Sequence, residues 1–470
     1  MKSINQYLNK DYIFFRLSKL MVYLKVKTQS ETYFSLILNC GFIFLAFISP
    51  FQIKKILYLP EIYFSGKFPA FETVFLHIQE ILIIVLLILF AFLLLKNSEK
   101  IQLNNKYIFL FFIFYFIFAE ISLLFAKDKI LTILNIWQFS ILILLYFLLI
   151  QKAHLLSIIQ NSLIISSFFQ GFLAIFQYIG QKSLGLHFLG EPLIAANISN
   201  VAKINVENSL KIRSYGTFEH PNILGFFLSF TIFLNIQKIF STKKDNQYFY
   251  FYLCALIIQI IALYLTFSRH IIFALMISLA IAFVPIWRKK IKSKIYMILS
   301  IIFIPLIIFI IFFPQFQERI FSLYNQEAFN ERIDQIKTSF KIISENPMGV
   351  GYRNYTILLP NYIKNQPINP WDLQPVHNTY LLLAAELGIL FILILILLIV
   401  LHINNYLKQK KIFQNLDIYY KTQIKKALFV SILILSFFDH YIITSFNAQL
   451  ILIFILFYLS EKTETVKKIT

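Results

Sequence analysis

His377 opens some two dozen almost wholly apolar residues, and the polar stretch before it carries Gly349, Gly351 and Arg353 within ENPMGVGYRNY, residues 345–355. An imidazole at the boundary between water and hydrocarbon is a proton acceptor placed where it can meet a lipid-borne substrate. Three more arginines stand beside short polar motifs: Arg213 just before GTFEHPN (216–222), Arg269 inside TFSRH (266–270), and Arg332 in FNERIDQIKTSFKIISENP. A guanidinium holds anionic oxygens through two parallel N–H bonds, although a solvated or snorkelling cation is the ordinary use of the same side chain. No CxxC, HExxH or GxxxxGK spacing occurs, so metal-dependent and ATP-driven chemistry has no support in the sequence.

The elements that must position these residues are membrane helices. A chain that is 59% hydrophobic and 14% charged cannot hide its apolar surface in one soluble core. Runs of about 17 to 25 apolar residues recur throughout, and they predict an all-α, polytopic integral membrane protein with about twelve spans. These fall at 33–52, 75–95, 107–126, 131–151, 157–179, 222–240, 248–267, 271–287, 295–314, 379–402, 427–443 and 447–460. KDK alone parts the third and fourth spans, and SRH the seventh and eighth, so both pairs read as hairpins. Residues 1–32 lack the pattern of a cleavable signal and read as a cytoplasmic segment. The chain then divides into 33–221, holding the first helices and an outer loop, 222–460, holding a second membrane region with a long outer loop at 315–378, and a cytoplasmic tail, 461–470.

Charge orients these spans. With both termini inside, 27 of the 43 basic residues fall on inner segments, as the positive-inside rule requires. The net charge of +20 is thereby explained by orientation and anionic lipid rather than by nucleic acid. The polar motifs then converge on the outer face. Within the long outer loop, Ile333, Ile336, Phe340 and Ile343 recur at helical spacing before Asn346-Pro347, which predicts an amphipathic helix with Arg332 in its first turn. Gly349 and Gly351 form a tight turn that lets backbone approach a ligand or a helix. Glu386, nine residues into the helix from His377, falls on the face opposite that imidazole and reads as structural, next to Gly388. Asp439 is the better acidic partner for the site. His220 and His440 read as packing or capping residues, and Cys40 and Cys254 as inert residues within spans.

Taken in order, GTFEHPN, TFSRH, Arg332 with ENPMGVGYRNY, and HNTYLLLAAELG (377–388) resemble the bacterial O-antigen ligase and O-antigen polymerase superfamily. The resemblance covers the C-terminal half; the first five spans match nothing. It implies a GT-C-like helical membrane enzyme of the bacterial inner membrane, working on the periplasmic face without a metal or other cofactor. Its donor would be a glycan on undecaprenyl diphosphate. Its acceptor would be a hydroxyl of lipid A core in the ligases, of another lipid-linked repeat in the polymerases, or of a protein side chain in some relatives. By motif, His377 resembles the catalytic histidine, and Arg269 and Arg332 the donor-binding arginines. Arg213 and Arg353 are further diphosphate candidates, and Asp439, Gly349, Gly351, Asn378 and Glu386 supporting residues.

Physical chemistry supports the same roles. A neutral imidazole is a natural general base for a sugar hydroxyl, and guanidinium groups absorb the charge that grows on a departing diphosphate. Two other classes compete. A transporter or flippase also has a dozen spans, but here the polar cluster lies in outer loops rather than at the midplane. A metal-dependent GT-C enzyme would need paired carboxylates in its first outer loop, where Glu61 and Glu72 form no close pair.

Overall fold

The computed structural model describes residues 33–60, 71–96, 105–206, 209–243, 245–288, 326–363, 373–408 and 416–461. Apolar composition turns most of these residues into packed helices. In chain order they are α1 (Tyr33–Ile48), α2 (Ile78–Lys96), α3 (Lys106–Ser122), α4 (Lys129–Gln151), α5 (Leu156–Gly180), α6 (Pro221–Ser241), α7 (Gln247–Leu265) and α8 (Arg269–Arg288). There follow α9 (Gln326–Glu345), α10 (Thr379–Leu387), α11 (Ile389–Lys408), α12 (Leu416–Phe438) and α13 (Phe446–Ser460). Among the described residues five helices, from α4 to α8, are long and apolar enough to cross a membrane, with shorter apolar helices in α1, α2, α11 and α13. The chain is a mostly helical, polytopic membrane protein. The expected span 295–314, Arg319, segment 1–32 and the tail from 462 lie outside the described residues.

Helix α6 is the central post, buried along almost its whole length and packed by α5, α7, α8, α12 and α13. Its start is set locally. Pro221 occupies the first turn, where a missing N–H costs nothing, and the His220 Nδ1 accepts from the Asn222 N–H at 3.2 Å as an N-cap. Deeper in the bundle, Asn235 donates to Gln259 at 3.0 Å and Gln259 to Ser167 at 2.6 Å, a polar link that ties α6, α7 and α5 together.

Several expected spans are shorter or broken. The stretch 379–402 is two helices, because Gly388 at φ +92° ends α10 before Ile389 starts α11. The stretch 427–443 ends as a helix at Phe438, leaving Asp439 and His440 in a break before the single turn Tyr441–Thr444. The stretch 75–95 begins as a strand and becomes helical only at Ile78. The all-α expectation also omits two small antiparallel hairpins in the connecting loops. One pairs β1 (Lys54–Tyr58) with β2 (Val74–His77), the other β3 (Lys203–Val206) with β4 (Ser209–Ile212).

The amphipathic helix is present as α9, with two corrections. It is already helical at Gln326, where the described residues resume, so Arg332 lies beyond its first turn. Its buried stripe runs through Ser339, Ile342 and Ile343, whereas Ile336 and Phe340 are exposed. Ser339 fixes that rotation by sharing a hydrogen bond of 2.8 Å with the buried Tyr355 hydroxyl. Cys40 and Cys254 are exposed on outward helix faces instead of packed between helices.

Candidate active site at the Asp439 break

Asp439 sits where α12 stops, and its carboxylate is the point on which the polar motifs meet. Oδ1 lies 3.6 Å from His377 Nδ1 and accepts the His440 backbone N–H at 2.8 Å. Oδ2 lies 3.4 Å from His270 Nε2 and accepts from Asn222 Nδ2 at 2.9 Å. The His377 contact is longer than a hydrogen bond, and its Nδ1 has no hydrogen-bond partner among the described residues. A fifth of the His377 side chain is exposed. His440 stands 5.2 Å from the His377 ring, its Nδ1 hydrogen-bonded to Thr444 Oγ1 at 2.8 Å.

His377 is held there by its two neighbours. Asn378 is the N-cap of α10, accepting from the Leu381 N–H at 3.0 Å while its amide donates to the Phe437 carbonyl at 3.2 Å. Thr379 donates to the Asp439 carbonyl at 2.7 Å. The sequence HNT thus clamps the start of one helix onto the break after another. Because α10 begins only at Thr379, His377 is not on the helix at all, and the helical-wheel comparison with Glu386 does not apply.

Arg213 is buried. Its Nε donates to the Thr266 carbonyl at 2.6 Å, and its Nη2 to Asn222 Oδ1 at 2.7 Å and Ser268 Oγ at 3.0 Å. Asn222 passes this on, since its other amide end donates to Asp439. GTFEHPN and TFSRH are therefore joined through one guanidinium and one amide. The TFSRH turn carries strain as well, with Phe267 at φ +48°, a conformation costly for a bulky residue.

The glycine turn locks against the Gly388 break. The Val350 N–H donates to the Ala385 carbonyl at 2.9 Å, Gly351 to Glu386 at 3.2 Å, and Ile389 to Pro347 at 3.0 Å. A Cβ on Gly349 would stand 2.5 Å from the Glu386 carbonyl oxygen, and one on Gly388 would stand 2.8 Å from the Met348 carbonyl carbon. The buried Glu386 carboxyl lies beside the backbone of Arg353 and Tyr355, on the same loop, with its Oε2 lacking a hydrogen-bond partner among the described residues. Arg353 itself is left-handed, at φ +67°, with Nε donating to Asn135 Oδ1 at 3.1 Å. Its charge reaches Glu72, Glu386 and His440.

Arg269 is the first residue of α8 and half-buried, directly beside His270. Arg332 is exposed on α9, close enough for its charge to act on the Tyr441 hydroxyl. Tyr441 in turn packs against His220 and His440, at 5.1 and 4.7 Å between ring centres. Lys54 of β1 pairs with Glu219 of GTFEHPN, bringing the first hairpin to the same end of the bundle.

Burial and charge set the protonation of the groups in the break. Burial alone would raise the Asp439 carboxyl, but the imidazoles of His270 and His377 and the nearby His440 hold it well below the usual range, so it is ionised. Burial pushes His440 down to about 3, and drives His220 well below the usual imidazole value with Arg213 adding to the effect. Both are neutral. One anionic carboxylate therefore faces four imidazoles and is supported by arginines.

Sequence reasoning missed His270 and Asn222 as direct neighbours of Asp439, and Asn135 and Glu72 as neighbours of Arg353. His270 had a signal, since it follows Arg269 in the same motif; Glu72 reads in the sequence only as an unpaired carboxylate of the first outer loop, and Asn135 had no signal, being an isolated polar residue in the unmatched half.

Residues 254–396 match a family model described as O-antigen ligase. The matched stretch holds Arg269, His270, Arg332, Arg353, His377, Glu386 and Gly388. It begins after Arg213 and Asn222 and ends before Asp439. No curated protein matches the chain.

Proposed function

We propose, for a chain whose residues 254–396 match an O-antigen ligase family model, that the Asp439 break is the active site of a membrane glycosyltransferase. The donor is a glycan on undecaprenyl diphosphate and the acceptor a hydroxyl, with ligase-type transfer preferred over polymerisation or transfer to protein. The observation that carries the reading is His377, whose Nδ1 lies 3.6 Å from an ionised, buried Asp439 while a fifth of its side chain is exposed.

In this mechanism Asp439 favours the tautomer with the proton on Nδ1, which leaves the Nε2 lone pair for the acceptor hydroxyl. His377 takes that proton as the oxygen attacks the anomeric carbon and the diphosphate leaves. Direct displacement inverts the anomeric configuration. Arg269 and Arg332, at the rim, take up the charge that grows on the leaving diphosphate. Arg353 supports the field from behind. Arg213 belongs to the framework, since three of its N–H contacts are already made within the protein. The site then faces the periplasm, with both termini in the cytoplasm and the helices in a GT-C-like arrangement.

The test uses full-length protein in detergent with a lipid-linked glycan and an acceptor, following release of carrier diphosphate. Wild type should release it, and His377→Ala should lose on the order of 10² to 10⁴ in rate while remaining folded. Undiminished transfer in His377→Ala removes the base assignment. Absence of any carrier release by wild type, with lipid movement across vesicles instead, would make the protein a flippase.

A further inference from the structure

The same break holds a donor set that general-base catalysis does not require. Ligand atoms of His377, Asp439 and His440 all lie within 4.8 Å of one another. Two imidazoles and a carboxylate suit borderline divalent ions such as zinc, and three protein ligands leave a fourth position open. We propose that these three residues bind a zinc-class ion, and that its binding switches off transfer by occupying His377.

The surroundings of each ligand favour this use. His440 Nδ1 is engaged by Thr444, which leaves Nε2 as its ligand atom. Asn222 and His270 hold Asp439 Oδ2, which leaves Oδ1 turned to the imidazoles. Such outer partners orient a metal ligand as the ligand itself is oriented in established sites. Bonds of about 2.0 to 2.1 Å in a tetrahedral site put ligand atoms about 3.3 Å apart. Side chains now up to 4.8 Å apart therefore need to close by up to about 1.5 Å, within reach of side-chain rotations. The nearby charges of Arg213 and Arg353 oppose a cation, so occupancy should be reversible rather than permanent.

The switching follows from tautomers. As a base, His377 carries its proton on Nδ1, toward Asp439. An ion on Nδ1 displaces that proton, and the neutral ring then holds its proton on Nε2, where it has no lone pair to offer a hydroxyl. This inhibition rests on the base role proposed above; the binding does not.

Cobalt(II) chloride is the probe, added to full-length protein purified without a histidine tag. A single equivalent should give visible d–d absorption of a low-coordinate site, and zinc should bleach it. His440→Ala and the gentler His440→Gln should each weaken cobalt binding at least tenfold, whereas Lys337→Ala on exposed α9 should not. In the carrier-release assay zinc should inhibit at the concentration that displaces cobalt, and a chelator should restore the rate. Absence of the absorption, or wild-type affinity in both His440 variants, overturns the site. A bleached spectrum with unaffected transfer overturns the switch and counts against His377 as the base. If no condition supports transfer, the base role fails while the spectrum still decides the metal site.

Discussion

Arg213 and Arg332 are the same side chain in opposite situations, and they stand for two regions of one site. Arg213 lies in the floor, buried and hydrogen-bonded to a carbonyl, a hydroxyl and the Asn222 amide, which itself holds Asp439. Arg332 lies on the rim, exposed on an amphipathic helix. The difference teaches that a motif arginine near a phosphate-type substrate can build the site or bind in it, and that burial with saturated donors separates the two. A charge-assisted hydrogen bond contributes about 1.5 to 3 kcal/mol. Arg213→Met removes three such contacts and strands buried acceptors, so it should lower the unfolding midpoint of the detergent-solubilised protein by the largest margin of any variant named here. Arg332→Ala should leave that midpoint within error and lower carrier release instead. A normal midpoint for Arg213→Met, with lost transfer, would erase the distinction between floor and rim.

The rim was more legible in the sequence than the floor. His377, Arg269 and Arg332 sit in short polar motifs interrupting hydrocarbon-length runs, and a polar residue there stands out because burying it is costly. Asp439 stood out for the same reason. What the sequence could not show is which polar groups satisfy one another, since Asn222 meets Asp439 across 217 positions and Asn135 meets Arg353 across 218. Hydropathy also joined what the backbone separates. Gly388 and Asp439 interrupt stretches that remain apolar on both sides, so a window average runs through each break. The strands β1 to β4 were missed because they are four or five residues long with no clean alternation.

The Gly388 break offers a smaller perturbation of the floor. Alanine there keeps the polar contacts but adds a Cβ 2.8 Å from the Met348 backbone at φ +92°. Gly185, at φ +88° with nothing within 4 Å, isolates the conformational part of the cost. Gly185→Ala should therefore cost about 1 kcal/mol and Gly388→Ala about 2 to 3 kcal/mol, read as midpoint shifts. Gly388→Ala should also depress transfer, because the clash is with the loop carrying Arg353. Equal shifts in the two variants would mean that the turn and the break are not locked together.

Acid distinguishes the two regions as well. His440 has a folded value of about 3, against about 6.5 in the unfolded chain, so between those values the unfolded state takes up a proton that the native state refuses. Stability must then fall as pH drops below about 6.5, by up to about 1.4 kcal/mol per pH unit for this one group. His220, lowered in the same direction, steepens the fall. Asp439, whose folded value is depressed, stays ionised across this range and loses its contribution only at lower pH. Unfolding midpoints between pH 7.5 and 5 should accordingly slope downward in wild type. His440→Gln, which keeps an amide for Thr444 but cannot titrate, should flatten the slope by about one proton. Variants of the exposed Arg332 should leave it unchanged. A slope that survives His440→Gln intact would mean that this imidazole is not held neutral by burial, and would move His440 from the floor to the rim.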